Sequence, residues 1–202
     1  RVVDRLMNWL YRKSAGIRVI SPGVRESLIA KGVPSSKIVV IPNWVDTALT
    51  LPKEPDRAFL DDMGEPGSFR VVYTGNLGLA QGLETLLDAA QILKEDPRIQ
   101  FYLFGAGVEA QQLQDLATRN GLANVRFMGS YPESEMSRVY STADLLVLLL
   151  KDVPPFHITI PHKLYYYLAS GKPIVGSICG DAANVILNAG AGIVCRPNNP
   201  SE

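Results

Sequence analysis

The sequence has little cysteine and no long apolar segment. Cys179 and Cys195 are the only cysteines among 202 residues, and they match no metal-binding spacing. We interpret them as buried thiols in a reducing compartment. No stretch approaches the roughly 20 apolar residues that a membrane-spanning helix requires. The sequence therefore predicts a cytoplasmic protein with no metal site and no membrane-spanning helix.

Neither sign of charge is in excess, since 20 basic and 20 acidic residues give a formal net charge of zero. This balance argues against a broad nucleic-acid surface and leaves a local basic pocket open. Hydrophobic residues make up 47% of the chain and charged residues 20%, as in a globular chain of one or two domains. Because it begins at Arg1 and ends in Pro200-Ser201-Glu202, we expect it to be a piece of a longer protein.

Helix and strand patterns divide the chain into three parts. Residues 1–50 show two helical and two strand patterns. Residues 51–68 are rich in Pro, Gly, Asp and Glu, which predicts a linker with one helical turn. Over residues 69–202 strands alternate with helices, and the aliphatic strand from Asp144 to Leu150 is predicted to be buried on both faces. This alternation predicts a Rossmann-like α/β fold with a doubly wound parallel sheet.

Glycine recurs where the predicted strands of residues 69–202 end. In doubly wound sheets, ligands bind beyond the carboxyl ends of the strands, and a residue without a Cβ lets the backbone approach a ligand closely. The glycines that follow these strands are Gly75, Gly78, Gly82, Gly105, Gly107, Gly129, Gly176 and Gly180. The sequence therefore predicts a ligand site at this edge of the sheet.

A short predicted helix near the end of the chain suits a phosphate-bearing ligand. Lys163 lies in its first turn, after a loop stiffened by prolines, and the N–H groups that begin a helix attract anions. The alternative interpretation is that Lys163 is an ordinary solvated lysine in the first turn of this helix and binds no phosphate. The G-x-G-x-x-G fingerprint of dinucleotide sites is missing, and no lysine follows a glycine loop as in a Walker motif. A hydride-transfer enzyme and an ATPase are therefore disfavoured.

Six segments occur in an order known from one enzyme family. They run from Val40 to Asp46, Tyr73 to Gly78, Leu103 to Gly107, Asn124 to Gly129, Ala143 to Asp144 and Lys163 to Pro173. In this order they resemble the C-terminal half of GT-B glycosyltransferases, specifically glycosyltransferase family 4. The nearest branch resembles the bacterial enzymes of lipid-linked surface-polysaccharide assembly.

The resemblance implies a fragment of a retaining glycosyltransferase that uses a UDP- or GDP-sugar and requires no cofactor or essential metal. Residues 1–50 would be the end of an N-terminal domain, 51–68 a linker, and 69–202 a donor-binding domain truncated at its C-terminus. A lipid-linked or glycan acceptor would bind through the missing N-terminal domain. The fragment alone would then be inactive or nearly so, and the enzyme would work in the cytoplasm or at the inner face of the plasma membrane.

The resemblance also implies site residues. The first glycine loop would lie by the donor diphosphate, residues 129–131 would frame the nucleotide base, and Lys163 would lie near phosphate or the transferred sugar. The implied donor-binding residues are Gly75, Asn76, Gly78, Gln81, Gly82, Gly105, Gly129, Ser130, Tyr131 and Tyr166.

Four positions depart from the family pattern. Asn76 and Gln81 stand where the family commonly has an arginine and a lysine, and Ile158 and Tyr166 stand where it has an acidic pair. The second acid of that pair normally holds the donor ribose, whereas Tyr166 offers only a hydroxyl. These departures motivate an alternative from another class, a non-catalytic GT-B-like module that binds a nucleotide or a partner protein.

Three other features of the sequence can be explained by structure as well as by function. We interpret His157 and His162 as loop or surface histidines, since no acid–base partner is evident in the sequence. At least two of the three tyrosines at 165–167 are expected to serve helix packing. The helix predicted from Val2 to Lys13 carries basic, aromatic and aliphatic residues, which suits either an anionic membrane surface or packing on its own domain.

Overall fold

The first part of the chain forms a small α/β unit. The computed structural model describes residues 2–47, 50–64 and 67–202. Helix α1 (Val2–Lys13), strand β1 (Ile17–Val19), helix α2 (Pro22–Ala30) and strand β2 (Ile38–Val40) follow in order. β1 and β2 pair in parallel. The Ser21 side chain caps α2 by accepting a hydrogen bond from the N–H of Val24, as expected for serine before a helix that begins with proline.

The predicted linker contains more structure than the sequence indicated. Helix α3 (Arg57–Met63) spans seven residues, which is about two turns. The Asp56 carboxylate caps it by accepting from the N–H of Phe59 at 3.1 Å. Phe59 and Met63, four residues apart on one face, are buried in the core of the main sheet. Tertiary burial of this pair therefore extends a helix that its local sequence favours only weakly.

Residues 69–202 form a parallel sheet of six strands, which are β3 (Phe69–Thr74), β4 (Ile99–Phe104), β5 (Val125–Gly129), β6 (Leu145–Leu149), β7 (Ile174–Ser177) and β8 (Gly192–Cys195). Their order in the sheet is β5-β4-β3-β6-β7-β8. This confirms the predicted doubly wound α/β fold, and the strand order reverses between β3 and β6. The helices are α4 (Glu84–Ile92), α5 (Ala110–Arg119), α6 (Met136–Thr142), α7 (Pro154–His157), α8 (Lys163–Ala169) and α9 (Asp181–Asn188).

Each face of the sheet has its own hydrophobic core. Helices α4 and α5 cover one face, and α3, α6, α8 and α9 cover the other. Along β6, Leu146 and Leu148 point into the core on the face covered by α3, α6, α8 and α9. Val147 and Leu149 point into the core on the face covered by α4 and α5. The central strand is thus buried on both faces, as its aliphatic sequence predicts. No helix within the described ranges combines the length and apolar character needed to cross a membrane.

Two hydrogen bonds at the start of α2 help to join the first part of the chain to the main sheet. The Ser21 hydroxyl donates to the carbonyl of Ile158 at 2.6 Å. The N–H of Gly23 donates to a carboxylate oxygen of Asp181 at 2.7 Å, so Asp181 lies at the N-terminal ends of both α2 and α9. Negative charge at these ends is favourable. The loop of residues 151–161 that supplies Ile158 also contains α7, a single turn that the sequence did not predict.

The loops that end β3 and β4 pack backbone against backbone. The N–H of Gly75 donates to the carbonyl of Phe104 at 2.8 Å, and the N–H of Gly105 donates to that of Gly129 at 2.7 Å. Gly105 has φ +149°. A Cβ at this position would lie 1.8 Å from the carbonyl oxygen of Gly75. Only glycine therefore permits the two loops to approach this closely.

We expect Gly105→Ala to lower the free energy of unfolding by more than about 3 kcal/mol, because it combines an unfavourable φ with a backbone clash. Gly121→Ala is the matched control. Gly121 also has positive φ (+62°) but faces open space, so its substitution should cost only about 1–2 kcal/mol. Denaturant-induced unfolding measures both values. Equal destabilisation by the two variants would contradict the close-approach argument.

Candidate functional site

A pocket of about 320 Å³ lies where β3 and β4 end and α8 begins. This is the edge at which a doubly wound sheet binds ligands. Five of its lining residues are among those predicted from the sequence, namely Gly75, Ser130, Tyr131, Lys163 and Tyr166. The other six were not predicted, and they are Thr74, Phe104, Glu133, Met136, Tyr140 and His162.

Lys163 provides the amine of this pocket. Its Nζ donates to the hydroxyl of Tyr73 at 2.9 Å and lies 4.2 Å from the centre of the same ring. The amine also lies 3.0 Å from the point that a Cβ on Gly75 would occupy. Burial lowers the pKa of Lys163 to about 7. A bound phosphate would favour the protonated form, because a nearby anion stabilises the charged state.

Two buried tyrosines hold the start of α8 against the end of β3. The Tyr73 hydroxyl donates onward to the carbonyl of Asn76 at 2.7 Å. The N–H of Thr74 donates to the Tyr167 hydroxyl at 3.0 Å. Burial raises the pKa of both phenols, so both stay neutral and act as hydrogen-bonding groups. Lys163 and Tyr167, four residues apart, therefore attach one face of α8 to one strand.

An acid and a phenol meet at the other side of the pocket. The Tyr166 hydroxyl donates to Oε1 of Glu133 at 3.0 Å, and this hydrogen bond is the main cause that raises the pKa of Tyr166. Glu133 begins a short 3₁₀ turn before α6. The ring of His162 packs edge-on against Tyr166, and its Nε2 lies 3.0 Å from the carbonyl oxygen of Trp44. Residue 44 belongs to the segment that resembles the family hinge, so that segment reaches the pocket rim.

The remaining predicted residues lie on the loops that adjoin the pocket. Gly105 and Gly129 bond to each other through their backbones. The side-chain amide of Asn76 folds back over its own loop, and its nitrogen lies 2.6 Å from the point that a Cβ on Gly78 would occupy. Gln81 has a buried Oε1 that accepts no hydrogen bond within the described part of the chain. Gly82 contacts the aliphatic stem of Lys151.

Two charged residues near the predicted site were missed. Glu133 follows β5, and Lys151 follows β6, whose carboxyl end meets the same edge of the sheet. Lys151 donates its N–H to the carbonyl of Ala80 at 3.0 Å, and its stem lies against the glycine loop that lacks the family's usual cations. A search for charged residues within a few positions of each strand end would have found both.

Comparisons with known proteins identify the family. A family model described as "Glycosyl transferases group 1" matches residues 68–202, and one described as "Glycosyltransferase Family 4" matches residues 1–49. The chain is 26% identical over 204 residues to the probable glycosyltransferase WbjE of Pseudomonas aeruginosa, covering 99% of this chain and 50% of that protein. It is 27% identical over 159 residues to the "Putative colanic acid biosynthesis glycosyl transferase WcaI" of Escherichia coli, covering 77% of this chain and 38% of that protein.

Solved structures show the same fold. A crystal structure of HepE from Anabaena with UDP and glucose superposes with a TM-score of 0.82 at 23% identity, covering 100% of this chain and 54% of that one. The chain thus spans about half the length of the relatives it matches. Because the first family model covers most of the sequence, the chain belongs to the group 1 glycosyl transferases, and its fold is that of GT-B glycosyltransferases.

Proposed function

We propose that this chain is the donor-binding half of a retaining glycosyltransferase that uses a UDP- or GDP-sugar. The observation that carries the proposal is the enclosed Lys163 amine, facing Gly75 at the carboxyl edge of the sheet. A cation beside a glycine backbone suits a diphosphate. The crystal structure of HepE in complex with UDP and glucose supports a nucleotide sugar as the ligand.

In the proposed reaction the bond between the sugar's anomeric carbon and the diphosphate breaks, and the diphosphate leaves with the electron pair. The acceptor oxygen bonds to the same face of that carbon and passes its proton to an oxygen of the departing diphosphate. Negative charge grows on the departing diphosphate, so groups aimed at it lower the barrier. Lys163 supplies the cation for this purpose, with backbone N–H groups of the glycine loop beside it.

We propose that Glu133 and Tyr166 together bind the donor ribose. The carboxylate of Glu133 can accept hydrogen bonds from sugar hydroxyls while it holds the Tyr166 phenol in place at 3.0 Å. The acid is thus supplied by the turn before α6, whereas the family pattern takes it from the helix that here contains Tyr166. Ser130 and Tyr131 remain the proposed contacts to the base. Tyr131 is held edge-on against the ring of Phe104.

We further propose a lipid-linked or glycan acceptor in surface-polysaccharide assembly, at the cytoplasmic face of the membrane. The name of WcaI supports the polysaccharide role. Helix α1 exposes Leu6, Trp9 and Leu10, and Arg5 and Arg12 are exposed on the same helix. Basic residues beside exposed apolar ones favour an anionic lipid surface.

The second candidate is a non-catalytic binding module. It is favoured by the residues at four family positions, because Asn76 and Gln81 carry no charge and Ile158 and Tyr166 are not acidic. This candidate binds a nucleotide or a partner protein, so nucleotide binding alone does not separate the two candidates. Transfer by the full-length protein does.

We expect UDP- or GDP-sugar binding to weaken about tenfold from pH 6 to pH 8. Lys163 has a pKa of about 7, so its cationic form is present below pH 7 and lost above it, while the donor's diester phosphates stay ionised throughout. Lys163→Met should remove this pH dependence and weaken binding at pH 6 by about tenfold or more. Titration calorimetry measures both effects.

The matched control is Lys94→Met, in the exposed turn after α4, which should retain both the affinity and the pH dependence. If no nucleotide sugar binds the folded chain, the donor site is wrong. If binding persists unchanged in Lys163→Met, the role of this lysine is wrong.

We expect Glu133→Gln to weaken donor binding by about tenfold, because a hydrogen bond to a charged group contributes about 1.5–3 kcal/mol. Glu135→Gln is the control. Glu135 lies in the same turn but faces Arg138 at 3.7 Å, outside the pocket. Calorimetry with the nucleotide sugar and with a ribose-free diphosphate separates the contributions, since Glu133→Gln should leave the affinity for the latter unchanged. An equal loss for both ligands would argue against ribose contact.

We expect the 202-residue chain to bind the donor and transfer little or no sugar, because it spans only about half the length of its relatives. The full-length protein should transfer sugar to a lipid-linked acceptor with retention of configuration. Radiolabelled transfer and NMR of the product measure this. Robust transfer by the 202-residue chain would refute the proposal that this chain only binds the donor. Absence of transfer by the full-length protein would favour the binding module.

A further inference from the structure

Three side chains that commonly bind metals meet outside the donor pocket. They are Asp152, His157 and Cys179, and one ligand atom from each lies within 4.8 Å of the other two. The Asp152 carboxylate and Nε2 of His157 lie 2.7 Å apart. None of the three lines the pocket around Lys163. The cluster is therefore a separate feature of the same sheet edge.

The fold itself brings these residues together. β6 and β7 are neighbouring parallel strands that pair Leu149 with Ser177, so Asp152 and Cys179 follow them at the same edge. Gly180, with φ +73°, lies so close to α7 that a Cβ on it would be 1.8 Å from the carbonyl oxygen of His157. The last residue of α7 is thus seated directly on the turn that contains Cys179. Packing of backbone on backbone determines this proximity.

The chemistry of the cluster selects one class of ion. A carboxylate, an imidazole and a thiol are the ligand types of zinc and related transition metals. Magnesium and calcium prefer oxygen ligands, and a thiol does not suit them. We propose that Asp152, His157 and Cys179 bind one divalent transition-metal ion of the zinc type, with a fourth position open to water. On binding, the Cys179 thiol releases its proton to solvent and the sulfur coordinates as thiolate.

This site would strengthen the contact between the two parts of the chain. Ile158 follows His157 directly, and its carbonyl accepts the Ser21 hydroxyl. Asp181, two residues after Cys179, accepts the N–H of Gly23. A metal that joins the loop after β6 to the turn before α9 would hold both acceptors in place. Its expected effect is on stability, and the inference does not depend on the proposed sugar transfer.

Cobalt(II) tests the site directly, because a cobalt–thiolate bond gives a near-ultraviolet charge-transfer band. We expect one Co²⁺ to bind per reduced, metal-free 202-residue chain, with that band and with visible bands of tetrahedral intensity. Cys179→Ser should lose the charge-transfer band. Cys195→Ser, which replaces the only other cysteine, should keep it. Excess Zn²⁺ should displace the cobalt and remove all bands.

The histidines supply a second matched pair, since His157 and His162 are the only two in the chain. His157→Ala should weaken Co²⁺ binding by at least about tenfold, and His162→Ala should leave it unchanged. Zn²⁺ should raise the melting temperature of the unsubstituted chain and of Cys195→Ser, with circular dichroism as the check of folding. No thiolate band with the unsubstituted chain, or a band that survives Cys179→Ser, would overturn the proposal.

Discussion

The attachment of α8 to the end of β3 is the constraint on which the candidate site depends. Tyr167 bonds the backbone of Thr74, and Lys163 bonds the hydroxyl of Tyr73. Both tyrosines are fully buried, so these hydrogen bonds lie in a low-dielectric interior where leaving either partner unsatisfied would be costly. They place the N-terminal end of α8 over the glycine loops and thereby define the wall of the pocket.

The charge near the glycine loop is sparse, which makes the enclosed amine of Lys163 important. Asn76 and Gln81 bring no charge to that loop. Burial disfavours the cationic form of Lys163 before a ligand arrives, but the same dry surroundings strengthen its attraction to a bound anion. Lys151 packs its stem against Gly82 and brings a second positive charge near the same loop. Cations from the start of α8 and from the loop after β6 thus lie near a loop whose own sequence has none.

Much of the fold was predictable, and the reasons are local. The alternation of strands and helices over residues 69–202 predicted the parallel sheet, and six ordered segments predicted the family; both are confirmed. Helix α3 was underestimated because its stability comes from burying Phe59 and Met63 in a distant core. Glu133 could have been noted as a charged residue near a strand end, but its pairing with Tyr166 joins residues 33 positions apart and needed the tertiary structure. The roles of the individual donor-site residues remain predictions.

The sequence by itself determined the class of fold, the edge of the sheet that carries the glycine loops, and the family. These properties follow from hydrophobic periodicity and from short motifs, both of which are formed by residues close together in the sequence. Only the tertiary structure decided which side chains face one another. It joined Glu133 to Tyr166, Lys163 to Tyr73, and Asp152 and His157 to Cys179. Such pairings depend on strand order and close backbone packing, which bring together residues that no local pattern connects.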